Sequence, residues 1–247
     1  MHRLQRSSIL AILSILLLGS WVLRASAQAP NQTPNQTVIN LSPDLRSRID
    51  RIAAQVLEAT GVPSASIAVV QHGKLVYTHA YGFARLASGS DPAVPATPYM
   101  RYSIGSISKQ FTAAAILILQ EQGKLSIDDP VGKFIPGLTR GNEVTIHQIL
   151  SHTSGYQDYW PEDYVMTPML APESAQQILD TWAKKPLDFE PGTQWQYSNT
   201  NYVIAGRVVE TLTGQPLMDL LTGRIFRPLG MTSVWNSDQA KLTQARR

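Results

Sequence analysis

Apolar residues recur at helical spacing over much of this chain, and they alternate with polar residues in one region. The helical spacing predicts helices over approximately residues 43–60, 107–122, 145–150, 173–183, 199–212 and 216–226. Two runs rich in β-branched residues flank His72-Gly73 and predict a β-hairpin over residues 65–70 and 74–81. Residues 84–100, rich in proline and serine, are predicted to be an irregular crossing. This order of elements is typical of an α+β fold: an antiparallel sheet flanked by helices, with a mostly helical region.

The chain begins with the pattern of a secretory signal. Basic residues lie within positions 2–6, an apolar stretch runs from Ile9 to Leu23, and Ala25-Ser-Ala27 has the small residues of a cleavage site. We expect cleavage after Ala27 and a periplasmic or secreted protein with no stable membrane span; a retained membrane anchor is the alternative. Polar residues 28–42 are predicted to form a flexible leader, and residues 43–247 a single domain.

Composition narrows the functional classes. With 43% hydrophobic and 16% charged residues, the chain has the make-up of a globular protein. Its formal net charge of +3 arises in the predicted signal, which holds three arginines and no acidic residue, so the remainder is balanced. A balanced chain gives no electrostatic case for binding nucleic acid. The absence of cysteine excludes disulfides, a thiolate nucleophile and thiolate metal ligands.

The motif Ser106-Ile-Ser-Lys109 stands at the start of the second predicted helix, between a joint at Gly105 and a stop at Gly123. The apolar stripe of this helix is predicted to consist of Ile107, Phe111, Ala114 and Ile118. Residues three apart share a helix face, so the hydroxyl and the amine are expected to lie side by side. A serine hydroxyl becomes a nucleophile when a neighbouring base, such as a neutral lysine amine, takes its proton. The motif is short enough to arise by chance, so it needs support elsewhere.

That support lies in residues 191–199, where a proline-glycine turn precedes Tyr197 and Asn199 just ahead of a predicted helix. A tyrosine hydroxyl can carry a proton between nucleophile and leaving group. An asparagine amide can accept from a lysine ammonium and donate to a substrate carbonyl. The alternative is structural: Tyr197 would be a buried aromatic residue and Asn199 the N-cap of the next helix.

Four segments in this order resemble the β-lactamase-related serine hydrolases, which include class C β-lactamases, D-alanyl-D-alanine carboxypeptidases and related esterases. They are Ser106-Ile-Ser-Lys109, Leu150-Ser-His-Thr-Ser-Gly155, Pro191-Gly-Thr with Tyr197-Ser-Asn199, and Pro228-Leu-Gly-Met231. The resemblance covers roughly residues 43–236. It implies the β-lactamase/transpeptidase-like version of the α+β fold.

By this resemblance Ser106 is the acylated nucleophile, and Lys109 and Tyr197 share the general-base and proton-return roles. Asn199 binds the substrate amide and steadies the lysine. The turn at residues 151–155 supports the cleft, and no catalytic role is assigned to His152. The implied substrate is a small molecule or peptide with an amide or ester carbonyl: a β-lactam, a D-alanyl peptide or a small ester. No cofactor and no metal ion are implied.

The third motif of the family, Lys-Thr-Gly or His-x-Gly on a sheet strand, has no counterpart in this sequence. After Asn199 the sequence has no histidine, and its one lysine, Lys241, is followed by Leu-Thr. Family members also continue well past Pro-Leu-Gly-Met and complete the sheet with strands from that region. We therefore expect a C-terminally truncated chain that lacks the C-terminal strands and has little or no hydrolase activity.

Three alternatives remain at the level of sequence. The first is a non-catalytic member that binds peptidoglycan-like peptides or a partner protein. A hydrolase of the Ser-His-Asp type is disfavoured because the sequence contains no Gly-x-Ser-x-Gly. A zinc hydrolase is disfavoured because His147 and His152 lie five residues apart with no glutamate between them.

Overall fold

The computed structural model describes residues 41–160 and 172–237. The predicted signal, nearly all of the predicted leader, residues 161–171 and residues 238–247 lie outside the described residues. Within the described ranges, no helix combines the length and the apolar character needed to cross a membrane.

The first helix and the hairpin follow the local signals of the sequence. Helix α1 covers Pro43–Thr60, its N-cap serine accepts a backbone N–H bond, and it ends at Gly61 in the left-handed conformation. Strands β1, Ser64–Gln71, and β2, Lys74–Arg85, pair antiparallel. His72 and Gly73 between them have φ angles of 49° and 71°. In a two-residue hairpin loop, two successive positive φ angles give the turn whose twist matches that of the flanking strands. The predicted hairpin is therefore confirmed.

A third, short strand was not predicted. Strand β3, Val94–Pro95, pairs antiparallel with the end of β2, so that the sheet has the order β1-β2-β3 within the described residues. It lies inside residues 84–100, which we expected to be irregular. A strand is recognised in a sequence by alternating apolar and polar residues, and two residues are too few to show that alternation. The proline is a further reason, because proline has no N–H to donate and therefore argues against a strand.

Helix α1 is joined to the sheet by a polar contact. The hydroxyl groups of Tyr77 and Tyr81, on the same side of β2, both donate to Oδ1 of Asp50 at 2.7 Å. Ala53 is the buried apolar residue of α1, whereas Ile52 and Val56 stay about half exposed. Because α1 buries so little apolar surface, the hydrogen bonds to Asp50 are its most specific link to the hairpin.

The remaining elements form a helical region that contains most of the core. They are α2, Lys109–Glu121; α3, Ile146–Leu150; α4, Ala175–Ile178, prolonged by a π-helical turn at Leu179–Ala183; α5, Asn199–Thr213; and α6, Leu217–Leu221, prolonged by a π-helical turn at Thr222–Phe226. Helix α2 packs against α5 and α6. Ile116 and Leu119 of α2 and Ile204 and Val208 of α5 are almost completely buried.

The buried face of α2 differs in detail from the predicted stripe. Its fully buried residues are Thr112, Ala115, Ile116 and Leu119. The predicted stripe lies beside this face: Phe111, Ala114 and Ile118 are partly buried against the core, and Ile107 is 59% exposed. The reason is that α2 packs against two helices, so its buried side is wider than the single stripe of a surface helix.

Candidate active site

The serine of the Ser-x-x-Lys motif lies in a tight turn that leads into α2. Residues Gly105–Ser108 form one 3-10 turn, and Gly105 has a φ of +50°, which only glycine adopts readily. Ser108 Oγ donates to the carbonyl oxygen of Gly105 at 2.6 Å and braces this turn. Ser106 is exposed, and Lys109, the first residue of α2, is partly buried. The predicted first helical turn therefore exists, but it is 3-10 rather than α-helical.

Hydrogen bonds link the four predicted site residues into one cluster. Oγ of Ser106 lies 2.7 Å from the hydroxyl oxygen of Tyr197, and Nζ of Lys109 donates to the same Oγ at 3.1 Å. Nζ of Lys109 also donates to Oδ1 of Asn199 at 2.7 Å. The Tyr197 hydroxyl donates to Oδ1 of Asn199 at 3.2 Å. The hydroxyl, amine, phenol and amide thus form one connected cluster at the surface.

Tyr197 is not a buried aromatic residue and Asn199 is not the N-cap of α5, as the structural alternative would require. Tyr197 is 37% exposed, with its hydroxyl at the serine rather than in the core. Asn199 is the first residue of α5, and Ser198 occupies the N-cap position without capping through its side chain. Both side chains are therefore available to the cleft.

Asp158, which no sequence motif indicates, also contacts the site residues. Its Oδ1 accepts the backbone N–H of Asn199 at 2.8 Å, and its Oδ2 accepts Nδ2 of the same residue at 3.2 Å. With its nitrogen bound to the carboxylate, the Asn199 amide points its oxygen toward Lys109. Asp158 thus sets the orientation of the residue that holds the lysine.

The turn at residues 151–155 holds the segment that carries Tyr197. The carbonyl oxygen of His152 accepts the N–H of Gln196 at 3.0 Å, and the Thr153 carbonyl accepts the N–H of Gly192 at 2.8 Å. The His152 ring stacks on the Tyr197 ring at a centroid distance of 4.6 Å. The expectation that this turn supports the cleft agrees with these contacts.

Charge and burial act on the His152 imidazole in a definite direction. Its pKa is lowered from the ordinary value of 6.5, chiefly because the ring is partly buried and next because Lys109 is positively charged. The Asp158 carboxylate opposes this shift. Among residues 41–160 and 172–237, no three histidine, aspartate or glutamate side chains are grouped as a metal site requires.

Comparison with known proteins assigns the chain to a family. The sequence model of the family described as Beta-lactamase matches residues 49–245. The chain belongs to the β-lactamase family. A relative, Protein flp of Staphylococcus aureus (strain N315), is 31% identical over 198 residues, which cover 78% of this chain and 38% of that protein. The chain spans less than half the length of the curated family members that it matches.

Solved structures of this serine hydrolase family share the fold. The D-amino acid amidase from Ochrobactrum anthropi aligns with a TM-score of 0.71 and 29% identity over 82% of this chain and 57% of its own. A class C β-lactamase in complex with cefoxitin aligns with a TM-score of 0.63 and 27% identity over 76% of this chain and 50% of its own. The predicted β-lactamase/transpeptidase-like α+β fold is therefore confirmed.

Proposed function

We propose that this protein is an exported serine hydrolase that attacks amide or ester carbonyls and forms an acyl-enzyme on Ser106. The proposal is carried by one observation: Oγ of Ser106 lies 2.7 Å from the Tyr197 hydroxyl and 3.1 Å from Nζ of Lys109. A nucleophile within reach of a base, with the base held by a third group, is the arrangement of covalent catalysis. Here the third group is the Asn199 amide oxygen, 2.7 Å from the lysine.

In this proposal Lys109 and Tyr197 handle the proton as a pair. As Oγ of Ser106 bonds to the substrate carbonyl carbon, its proton passes to the pair, and the carbonyl oxygen becomes negative. The bond from that carbon to the leaving nitrogen or oxygen then breaks, and the pair returns the proton to the leaving group. Water next attacks the acyl ester, and the serine regains its proton.

The 3-10 turn supplies a place for the developing negative charge. The first turn of a helix has N–H groups without an intrahelical acceptor, and the backbone N–H of Ser106 belongs to such a turn. Donors already in position at an oxyanion are among the largest contributions to acyl transfer. Asn199, whose second amide hydrogen is not required by Asp158, is the proposed contact for the substrate amide.

The substrate class is a small molecule or peptide with a carbonyl open to attack: a β-lactam, a D-alanyl peptide or a small ester. The D-amino acid amidase aligned above has been solved with L-phenylalanine amide and with D-phenylalanine. That similarity supports an amide of a single amino acid or a short peptide as the first substrate to try.

Covalent labelling of the whole protein tests the proposal. A fluorescent fluorophosphonate and a fluorescent penicillin are each incubated with the wild type, Ser106→Ala and Ser108→Ala, and the labelled peptide is located by mass spectrometry. Ser108 lies in the same turn, and among the described residues its side chain bonds the Gly105 carbonyl rather than Lys109, Tyr197 or Asn199, so it is the matched control. Acylation uses only the Ser106 cluster, so we expect labelling of the wild type and Ser108→Ala on Ser106 and none of Ser106→Ala, even if turnover is as low as the missing third motif implies. A wild type that takes no label but still binds D-alanyl peptides would instead favour the non-catalytic binding module.

Export is the part of the proposal that depends on the first 27 residues. We expect the protein from fractionated cells to begin at Gln28 and to be found in the periplasm or the medium. N-terminal sequencing decides this, because an intact Met1 in the cytoplasmic fraction would contradict export.

A further inference from the structure

One residue holds Tyr197 from three directions. The backbone oxygen of His152 accepts the N–H of Gln196, the residue before the tyrosine, at 3.0 Å. Nδ1 of His152 accepts the N–H of Ser198, the residue after it, at 3.2 Å. The imidazole itself stacks on the phenol ring with an interplanar angle of 30°. His152 therefore holds the residue on each side of Tyr197 as well as the tyrosine ring.

The backbone of His152 adopts a conformation that such a residue rarely takes. Its φ of +60° lies in the left-handed region, where a side chain with a Cβ costs free energy. A residue persists there only where its surroundings hold it, and such residues cluster at functional sites. Here the left-handed turn lets the carbonyl oxygen and the ring of one residue reach the same neighbouring segment.

The contact between Nδ1 and the Ser198 N–H also fixes the protonation state of the ring. Nδ1 accepts a hydrogen bond and so carries no proton, which leaves the ring neutral with its hydrogen on Nε2. Within the part of the chain that the structure describes, four titratable groups face the ring: Lys109, Asp158, Tyr197 and Tyr202. Burial and the charge of Lys109 keep the pKa of His152 below 6.5, although Asp158 opposes them. A second proton would place an N–H against the Ser198 N–H and break the contact.

We propose that His152 is a positioning residue for Tyr197, and that only its neutral form, with Nδ1 free to accept, keeps the phenol within reach of Ser106. The inference rests on the proposed role of Ser106 and adds that the rate of acylation depends on the protonation state of His152. As the pH falls and His152 takes up a proton, Tyr197 loses the bond on its C-terminal side. Acylation of Ser106 then slows while the fold persists.

Replacing His152 by asparagine separates the contribution of the stacked imidazole ring from that of the hydrogen-bond acceptor. Asparagine tolerates the left-handed conformation better than most residues, and its side-chain oxygen can replace Nδ1 as acceptor for Ser198. His152→Asn therefore keeps the turn but removes the ring that stacks on Tyr197. His147, an exposed histidine on α3, provides the matched control as His147→Asn. Melting curves establish that each variant is folded.

The rate of fluorophosphonate labelling is then measured from pH 4.5 to 8 for the three proteins. We expect His152→Asn to label on the order of 10²-fold more slowly at saturating probe, because a small displacement of a reacting group has effects of that size. The probe concentration for half-maximal rate should be unchanged. The acidic fall of the wild-type rate should follow the titration of His152, remain in His147→Asn and be absent from His152→Asn. A role limited to folding would not produce this pH dependence.

Nuclear magnetic resonance of the ¹⁵N-labelled imidazole provides a readout independent of activity. We expect the Nε2-protonated neutral form of His152 at pH 7, titrating below 6.5, with the ring close to the protons of Tyr197. A proton on Nδ1 at pH 7, or an acidic fall in labelling rate that persists in His152→Asn, would overturn this inference and leave the role of Ser106 standing. A wild type that forms no adduct would overturn the proposed function instead.

Discussion

Replacing Asp158 tests whether this carboxylate organises the site. It accepts three donors: the N–H of Asn199 at 2.8 Å, Nδ2 of Asn199 at 3.2 Å and the N–H of Trp160 at 3.1 Å. The first of these bonds lies at the N-terminus of α5, where the helix dipole favours a negative charge. The second bond turns the Asn199 oxygen toward Lys109. Asp158→Ala removes all three bonds.

The lost contacts give a magnitude for the effect of Asp158→Ala on stability and for its effect on Ser106 labelling. Losing the side-chain acceptor at a helix N-terminus costs about 1 kcal/mol, and losing the charge there costs up to about 1 kcal/mol more. A loss of about 2 kcal/mol corresponds to a fall in melting temperature of roughly 4–8 °C for a domain of this size. With the Asn199 amide free to rotate, Lys109 loses its 2.7 Å acceptor and its fixed position. We expect Ser106 labelling to slow on the order of 10²-fold.

The conservative variant Asp158→Asn separates stability from chemistry. Its side-chain oxygen still accepts the backbone N–H of Asn199, so most of the stability of α5 should remain. Its NH₂ group, however, faces the NH₂ group of Asn199. The Asn199 amide must then turn over and present nitrogen instead of oxygen to Lys109, which is also a donor. We expect a melting temperature close to that of the wild type but labelling almost as slow as in Asp158→Ala.

Labelling rates with a fluorophosphonate and melting curves by circular dichroism measure the two effects on the same samples. Asp180→Asn is the control, because Asp180 forms an exposed pair with Lys184 and such pairs contribute little. It should change neither quantity measurably. The reasoning is refuted if Asp158→Asn labels at the wild-type rate, since the amide orientation of Asn199 would then be irrelevant to Ser106.

Four further substitutions probe stability, each measured by chemical denaturation. Gly155→Ala should prevent folding almost completely, because the residue has a φ of +84° and the added Cβ would collide with a backbone carbonyl of the neighbouring loop. Gly123→Ala is its control: φ is +68°, but no atom lies within 4 Å of the added Cβ. That substitution should lower the free energy of unfolding by only about 1–2 kcal/mol. Ser154→Ala should cost about 1–3 kcal/mol, because it leaves the buried Asn201 oxygen, now bound at 2.6 Å, without its donor. Hydrogen bonds from two tyrosines hold the pKa of Asp50 below 3.8. Its contribution to stability is therefore present above pH 3.8 and lost as the pH falls through the folded pKa, and Asp50→Asn should lack this acid dependence.

The sequence was sufficient where the signal was local. The serine cap before α1 and the glycine after it marked both ends of that helix, and the His72-Gly73 turn marked the hairpin. Both fold predictions depend on residues within a few positions of each other. The placement of Ser106 beside Lys109 was also local, because three residues along a helical turn return to the same side. Such signals need no knowledge of the tertiary structure.

The sequence was insufficient where partners lie far apart along the chain. Asp158 and Asn199 are 41 residues apart, and Asp158 lies in a segment of aromatic residues and prolines without any periodic pattern. No local rule distinguishes this aspartate from others in loops. His152 was assigned to a supporting turn from its motif, but its contacts on both sides of Tyr197 depend on the packing of that turn against residues 191–198.

The two halves of the site are held by different parts of the helical region. Ser106 lies in the 3-10 turn before α2 and Lys109 is the first residue of α2, whereas Tyr197 is tied to the 151–155 turn and directly precedes the N-cap of α5. One buried and one partly buried hydrogen bond hold that second half: Ser154 Oγ donates to the Asn201 side chain, and the Tyr202 hydroxyl donates to the Leu150 carbonyl oxygen. The 2.7 Å approach of the serine and tyrosine oxygens therefore depends on how α2 packs against α5. Interiors packed at high density deform little, so this interface fixes the distance between the Ser106 and Tyr197 oxygens.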